Sequence, residues 1–70
     1  TEPLAVLCRA ASDNALVSVV LRSGEQFNDG VCEVFSECGA DLVVFHAHNC
    51  VYVADITRCS PVPRQADLVA

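Results

Sequence analysis

Seventy residues make one domain, and a chain of this length buries only about 60% of its unfolded surface, which excludes a large core. Yet 53% of the residues are hydrophobic and mean hydropathy is +0.41, more apolar side chain than so small a core hides, which points to an oligomer or a bound partner. Nine acids against four arginines and no lysine give a net charge of -5, a balance that disfavours unaided binding to a phosphate backbone and favours basic partners.

Pro3 suits the first turn of a helix, where its missing N–H is not needed. Leu4, Leu7, Cys8 and Ala11 follow at the spacing of an apolar helical face, and Ser12, Asp13 and Asn14 end it. The first predicted strand is Leu16 to Arg22, with Val17, Val19 and Leu21 on one face and Leu16, Ser18 and Val20 on the other. Ser23-Gly24 is a turn. A second strand starts near Gln26 and runs through Asn28-Asp29-Gly30 to Phe35, and Gly30 inside it marks a bulge or a bend. Ser36 to Ala40 turn the chain. A third strand, Asp41 to Phe45, is apolar on both faces and is expected to be covered twice. His46-Ala47-His48-Asn49 make the next turn, Cys50 to Ala54 a fourth strand and Ile56 to Ser60 a fifth, stopped by Pro61 and Pro63. Residues 1–64 read as one domain, with 65–70 as a tail.

The cysteines, Cys8, Cys32, Cys38, Cys50 and Cys59, are odd in number and have no C-x-x-C pair, so they read as small buried hydrophobes in a reducing, cytoplasmic setting rather than a disulfide framework. No apolar run approaches the length that spans a bilayer. His46-x-His48-x-Cys50 could aim three metal donors to one side of an extended segment, but a strong site needs a fourth ligand, and no metal or other cofactor is expected. Ser18, Ser23 and Ser36 have no base placed beside them, and no glycine-rich phosphate loop opens a helix, so no catalytic residue is assigned and an enzyme is not expected. Arg22, Arg58 and Arg64 are candidates for a basic patch, and Phe45 and Tyr52 for base-stacking platforms, each against the blander reading of solvated arginines and core aromatics.

A helix followed by five short strands resembles the order of the Sm-like family. Val19-x-Leu21-x-x-Gly24-x-x-Phe27 is similar to the opening of that family's first motif, with Gly30 as its bend glycine displaced by one inserted residue. Glu37-x-x-Ala40-Asp41-Leu42-x-Val44 resembles its Asp-x-x-Met-Asn-Leu-x-Leu portion. Val51-Tyr52-Val53-Ala54-Asp55-Ile56-Thr57 and the following Ser60-Pro61-Val62-Pro63-Arg64 look like the bacterial Hfq branch. The resemblance implies a mainly β fold: a short N-terminal helix capping a strongly bent five-stranded antiparallel barrel of SH3-like type. It also implies a homo-oligomeric ring, a hexamer in the bacterial branch, joined through strands four and five by Val51, Tyr52, Val53, Ile56, Thr57 and Arg58. The family's RNA pocket would fall at Glu37, Ala40, Asp41, Val53 and Ala54. Here it is degenerate: Ala40 has no ring to stack, Asp41 can only accept hydrogen bonds and repels phosphate, and Val53-Ala54 replace a Lys-His pair. A non-enzymatic binding module with weak RNA affinity is therefore expected. The acidic charge also resembles the Rho-inhibitor family, which implies a different partner, a nucleic-acid-binding protein.

Overall fold

The computed structural model describes residues 2–63 and contains one short helix and a five-stranded antiparallel sheet. The helix α1 spans Pro3–Asp13 and the strands are β1 Leu16–Leu21, β2 Gln26–Glu37, β3 Ala40–Phe45, β4 Val51–Tyr52 and β5 Ile56–Pro61. A 3-10 turn, Val53–Asp55, joins the last two strands. Arg64 and the predicted tail lie outside the described residues. The strand order is β4-β3-β2-β1-β5, so β4 and β5 form the two outer edges and the sheet is not closed.

Pro3 opens α1 as expected, and Asn14 ends it in the left-handed conformation (φ 54, ψ 45) with its N–H donating to the Ala10 carbonyl. Asn is one of the few residues that tolerate this geometry. The buried face overlaps the predicted one at Leu7 and Ala11 but is turned away from Cys8. Leu7 and Ala10 are buried while Cys8 is exposed, so the face is centred between Leu7 and Ala10, with Val6 and Ala11 packed beside it. The helix lies on the part of the sheet built by β1, β2 and β5, where a polarizable thiol has less apolar area to bury than Leu7.

The core is Leu7, Ala10, Val17, Val19, Val31, Val43, Phe45, Ile56 and Cys59. Val17 and Val19 face inward as their alternation predicts, and Leu16 faces out. On β3 only one face is buried, through Val43 and Phe45; Leu42 and Val44 are half-buried on the other. The expected double cover is therefore incomplete. Four of the five cysteines are exposed, which corrects the expectation of buried ones; only Cys59 is in the core. Burial pushes its thiol pKa up, so it stays protonated.

Strand β2 changes partner in mid-course. Residues 26–30 pair with β1, and from Val31 onward it pairs with β3. Gly30 stands at the handover, where an added Cβ would come within 2.7 Å of the His46 ring. The bulge itself lies one step later: Val31 pairs with Phe45 and Glu33 with Val44, leaving Cys32 as the extra residue. A second bulge occurs in β5, where Arg58 pairs with Val20 and Ile56 with Leu21, leaving out Thr57. Each bulge resets the two-residue alternation. That is why Val31 and Val34, and again Ile56 and Cys59, face the same core although three residues apart.

The β2–β3 turn is Cys38-Gly39, with positive φ at both residues (53 and 82) and Glu37 paired to Ala40 across it. Two-residue hairpins take this form because its twist matches that of the strands. Strand β4 is shorter than predicted: the 3-10 turn takes over Val53, Ala54 and Asp55.

Candidate functional site

Two features stand out, a polar cluster at the bend of β2 and the pair of free sheet edges.

Asp29 is the one buried charged residue among those described, with 8% of its surface exposed. It faces inward because it alternates with Phe27 and Val31. Its Oδ1 accepts the Gly30 N–H at 2.7 Å, and its Oδ2 accepts the Ala47 N–H at 2.7 Å and lies 2.8 Å from His48 Nδ1. A carboxylate only accepts, so Nδ1 carries the proton. Burial alone would raise the carboxyl pKa, but the hydrogen bonds from His48, Ala47 and Gly30, with the nearby His48 charge, outweigh it and hold the carboxyl below its ordinary value. The His48 ring stacks on Phe27 (centroids 3.9 Å apart, planes 13° apart), and Phe27 meets Phe45 edge-on at 5.1 Å. The cluster ties the β3–β4 loop to the bend in β2. A histidine oriented by a carboxylate is also half of a general-base arrangement; what the contacts among the described residues show is a staple between the loop and the bend.

This arrangement separates the three proposed metal donors. His46 lies against Gly30, with its backbone N–H on the Gly30 carbonyl at 3.1 Å. His48 is engaged by Asp29, and Cys50 is exposed at the start of β4. The segment turns instead of extending, so alternate spacing does not align the side chains. Among the described residues no group of three His, Cys, Asp or Glu side chains is placed to hold a metal ion.

At the edges, Tyr52 is 53% exposed on β4 opposite Leu42, and Val51 is half-buried opposite Val43. Val53 packs against the core from the 3-10 turn, and Thr57 and Arg58 are exposed on β5. Ile56, expected at an interface, is 6% exposed and points into the core, so its side chain does not reach a neighbour. The turn between the two edge strands is held by Arg22, whose N–H donates to the Asp55 carbonyl at 2.7 Å and whose Nη2 donates to the Ala54 carbonyl at 2.8 Å. Its Nε is also 3.8 Å from Asp55 Oδ1. Arg22 therefore serves this turn instead of a free basic patch. Thr57 Oγ1 donates to the Val20 carbonyl at 3.1 Å. A groove lined in part by Leu21, Arg22, Val51, Tyr52 and Asp55 adjoins this edge.

The positions at which the Sm-like resemblance would place an RNA pocket fall in two groups. Glu37, Ala40 and Asp41 sit at the β2–β3 hairpin, where Asp41 Oδ1 accepts the Ser36 hydroxyl at 2.6 Å. Val53 and Ala54 lie in the 3-10 turn, which neighbours β3. Phe45, considered for base stacking, is 3% exposed and belongs to the core; Tyr52 remains accessible.

No sequence motif singles out Asp29. Its signal was the inward parity of Phe27, Asp29 and Val31: a carboxylate placed on the core side of a strand demands donors. No helix among the described residues is long and apolar enough to cross a membrane. No protein-family model matches this chain, and no curated protein or solved structure matches it significantly.

Proposed function

We propose that this chain is a non-enzymatic binding module that assembles with copies of itself through its two sheet edges. Its sheet would be the incomplete Sm-like barrel that the sequence resembles, and assembly would give a closed ring, a hexamer by analogy with the bacterial branch. The observation that carries this reading is the strand order, which leaves β4 and β5 as the outer edges of an unclosed sheet. Unpaired edges are liabilities that proteins pair, cover or charge. Strand β4 carries no charge, and β5 carries only Arg58. Pairing β4 of one copy with β5 of the next is a heterologous contact, which closes a ring when the rotation permits. Five free thiols suit a reducing compartment such as the cytoplasm.

Thr57 is the residue skipped by the β1 register, and Thr57→Pro removes its backbone N–H, which breaks the assembly if that N–H faces the neighbour. Sedimentation or light scattering of the wild-type chain is expected to return a multiple of 7.4 kDa, six in the favoured case. Thr57→Pro is expected to return a single chain that keeps its β-rich circular dichroism. A wild-type monomer at working concentration would refute the reading. Affinity for uridine-rich RNA is expected to be weak, because Asp41 and the Val53-Ala54 pair offer phosphate no cation; sub-micromolar binding at physiological salt would contradict that.

A further inference from the structure

One face of the sheet carries apolar side chains that the core does not use. Phe35 pairs with Leu42, and Leu42 pairs with Tyr52. Directly opposed residues share a face, so these three form a continuous apolar row across β2, β3 and β4. Val44, two residues from Leu42 on β3, extends it. The alternating neighbours Val34, Val43 and Val51 belong to the core or pack on it, which puts the row on the opposite face. Phe35, Leu42 and Val44 are half-buried, Tyr52 is exposed, and none of the four packs against the core. Two exposed carboxylates bracket the row: Glu33 opposite Val44 and Glu37 opposite Ala40.

We propose that this face docks a cationic amphipathic segment of a partner protein. Apolar side chains of the segment would cover Phe35, Leu42, Val44 and Tyr52, and its lysines or arginines would meet Glu33 and Glu37. Charge complementarity selects this occupant. A second copy placed face to face by a two-fold axis puts four glutamates, Glu33 and Glu37 of each copy, into one apolar interface, and an excess of like charge there is destabilising. The chain's own cations are few: it has no lysine, Arg9 and Arg22 are ion-paired with Asp13 and Asp55, and Arg58 lies on β5, at the far edge of the sheet from the row. RNA is disfavoured for the same electrostatic reason. Partial desolvation by the apolar contact lowers the local dielectric and strengthens each Glu–cation pair. The row lies on a sheet face and the hydrogen-bonding edges lie in the sheet plane, so docking does not depend on the edge assembly.

The probe is a synthetic helical peptide of leucine and lysine with one apolar face, compared with the same peptide carrying glutamate at every lysine. Binding is read by fluorescence anisotropy and located by amide chemical-shift changes in the full chain. The lysine peptide is expected to bind at least about tenfold more tightly than the glutamate peptide. Glu33→Lys combined with Glu37→Lys is expected to weaken it by about tenfold or more. Tyr52→Ser is expected to weaken it several-fold through the exposed end of the row. Shift changes are expected at Phe35, Leu42, Val44 and Tyr52. Equal affinity for both peptides, indifference to the double charge reversal, or shifts centred on α1 or β5 would overturn the proposal. So would a change in oligomeric mass in the double variant, which would make the face a contact between copies. A wild-type chain that sediments as a monomer refutes edge assembly and leaves these peptide arms to decide the docking face separately.

Discussion

Removing the Asp29 carboxyl strands three donors at once: the backbone N–H groups of Gly30 and Ala47 and the His48 ring. Leaving partly buried donors unsatisfied costs about 1–3 kcal/mol, so Asp29→Ala is expected to lower stability by that order in a urea titration at neutral pH. The same group gives the fold an acid limit. Its folded pKa lies below the ordinary 3.8, so its stabilisation is fully present above the unfolded value and is lost as pH falls through the folded one. The urea midpoint is expected to drop below about pH 4 in the wild type, and that part of the drop should vanish in Asp29→Asn. Cys38 poses the reverse case. It occupies the left-handed region at φ 53 in a turn that favours Asn-Gly. Cys38→Asn is expected to raise stability by about 0.5–1 kcal/mol in the same titration; an unchanged or lower midpoint would count against the turn geometry. Both residues were in view in the sequence, but only as fillers between signals. Asp29 read as part of an Asn-Asp-Gly bend, and Cys38 as one of five hydrophobes, because neither its partners nor its φ can be read from residue type.

At the scale of elements, the alternation that locates strands is also what conceals the bulges. Leu16 to Leu21 keeps strict alternation and was read correctly, face by face. Across Cys32 and Thr57 the period is interrupted by one residue, so Val34 and Cys59 fall on the wrong parity in a sequence reading while facing the core in the fold. Strand four was overextended for a related reason: Val53 and Ala54 continue an apolar run, but Arg22 captures the carbonyls of Ala54 and Asp55 and winds the segment into a 3-10 turn. The predicted and observed helix faces share Leu7 and Ala11 and differ at Leu4 and Cys8 against Val6 and Ala10, because both sets satisfy helical spacing. A pair of substitutions separates the two faces. Leu7→Asp puts an unpartnered charge at a fully buried position and is expected to cost about 2–4 kcal/mol, by thermal or chemical denaturation. Cys8→Asp, at an exposed position, is expected to change stability by less than about 0.5 kcal/mol. Equal losses at both positions would mean that the helix packs on the predicted face after all.

For the whole molecule, the balance between core and surface decides how the chain exists in solution. Among the described residues the largest fully buried side chains are Leu7, Val17, Val19 and Val43. Much of the remaining apolar surface lies on the sheet, in the Phe35–Leu42–Tyr52 row and at Leu16, and the edges beside it are unpaired. A core of this size gives a marginal fold. If folding is completed by pairing β4 with the β5 of a neighbour, stability cannot be a property of the single chain. Association binds the folded form and not the unfolded one, so it adds stability that grows with concentration. Each tenfold rise in concentration adds about 1.4 kcal/mol per association step at most, which for a domain of this size corresponds to about 5–10 °C in Tm. The wild-type Tm is therefore expected to fall by up to about twice that amount across a hundredfold dilution series, whereas Thr57→Pro should melt lower and at one temperature throughout. A wild-type Tm independent of concentration, with a mass of 7.4 kDa, would mean that the single sheet is self-sufficient and that its free edges are held apart by the net charge of -5.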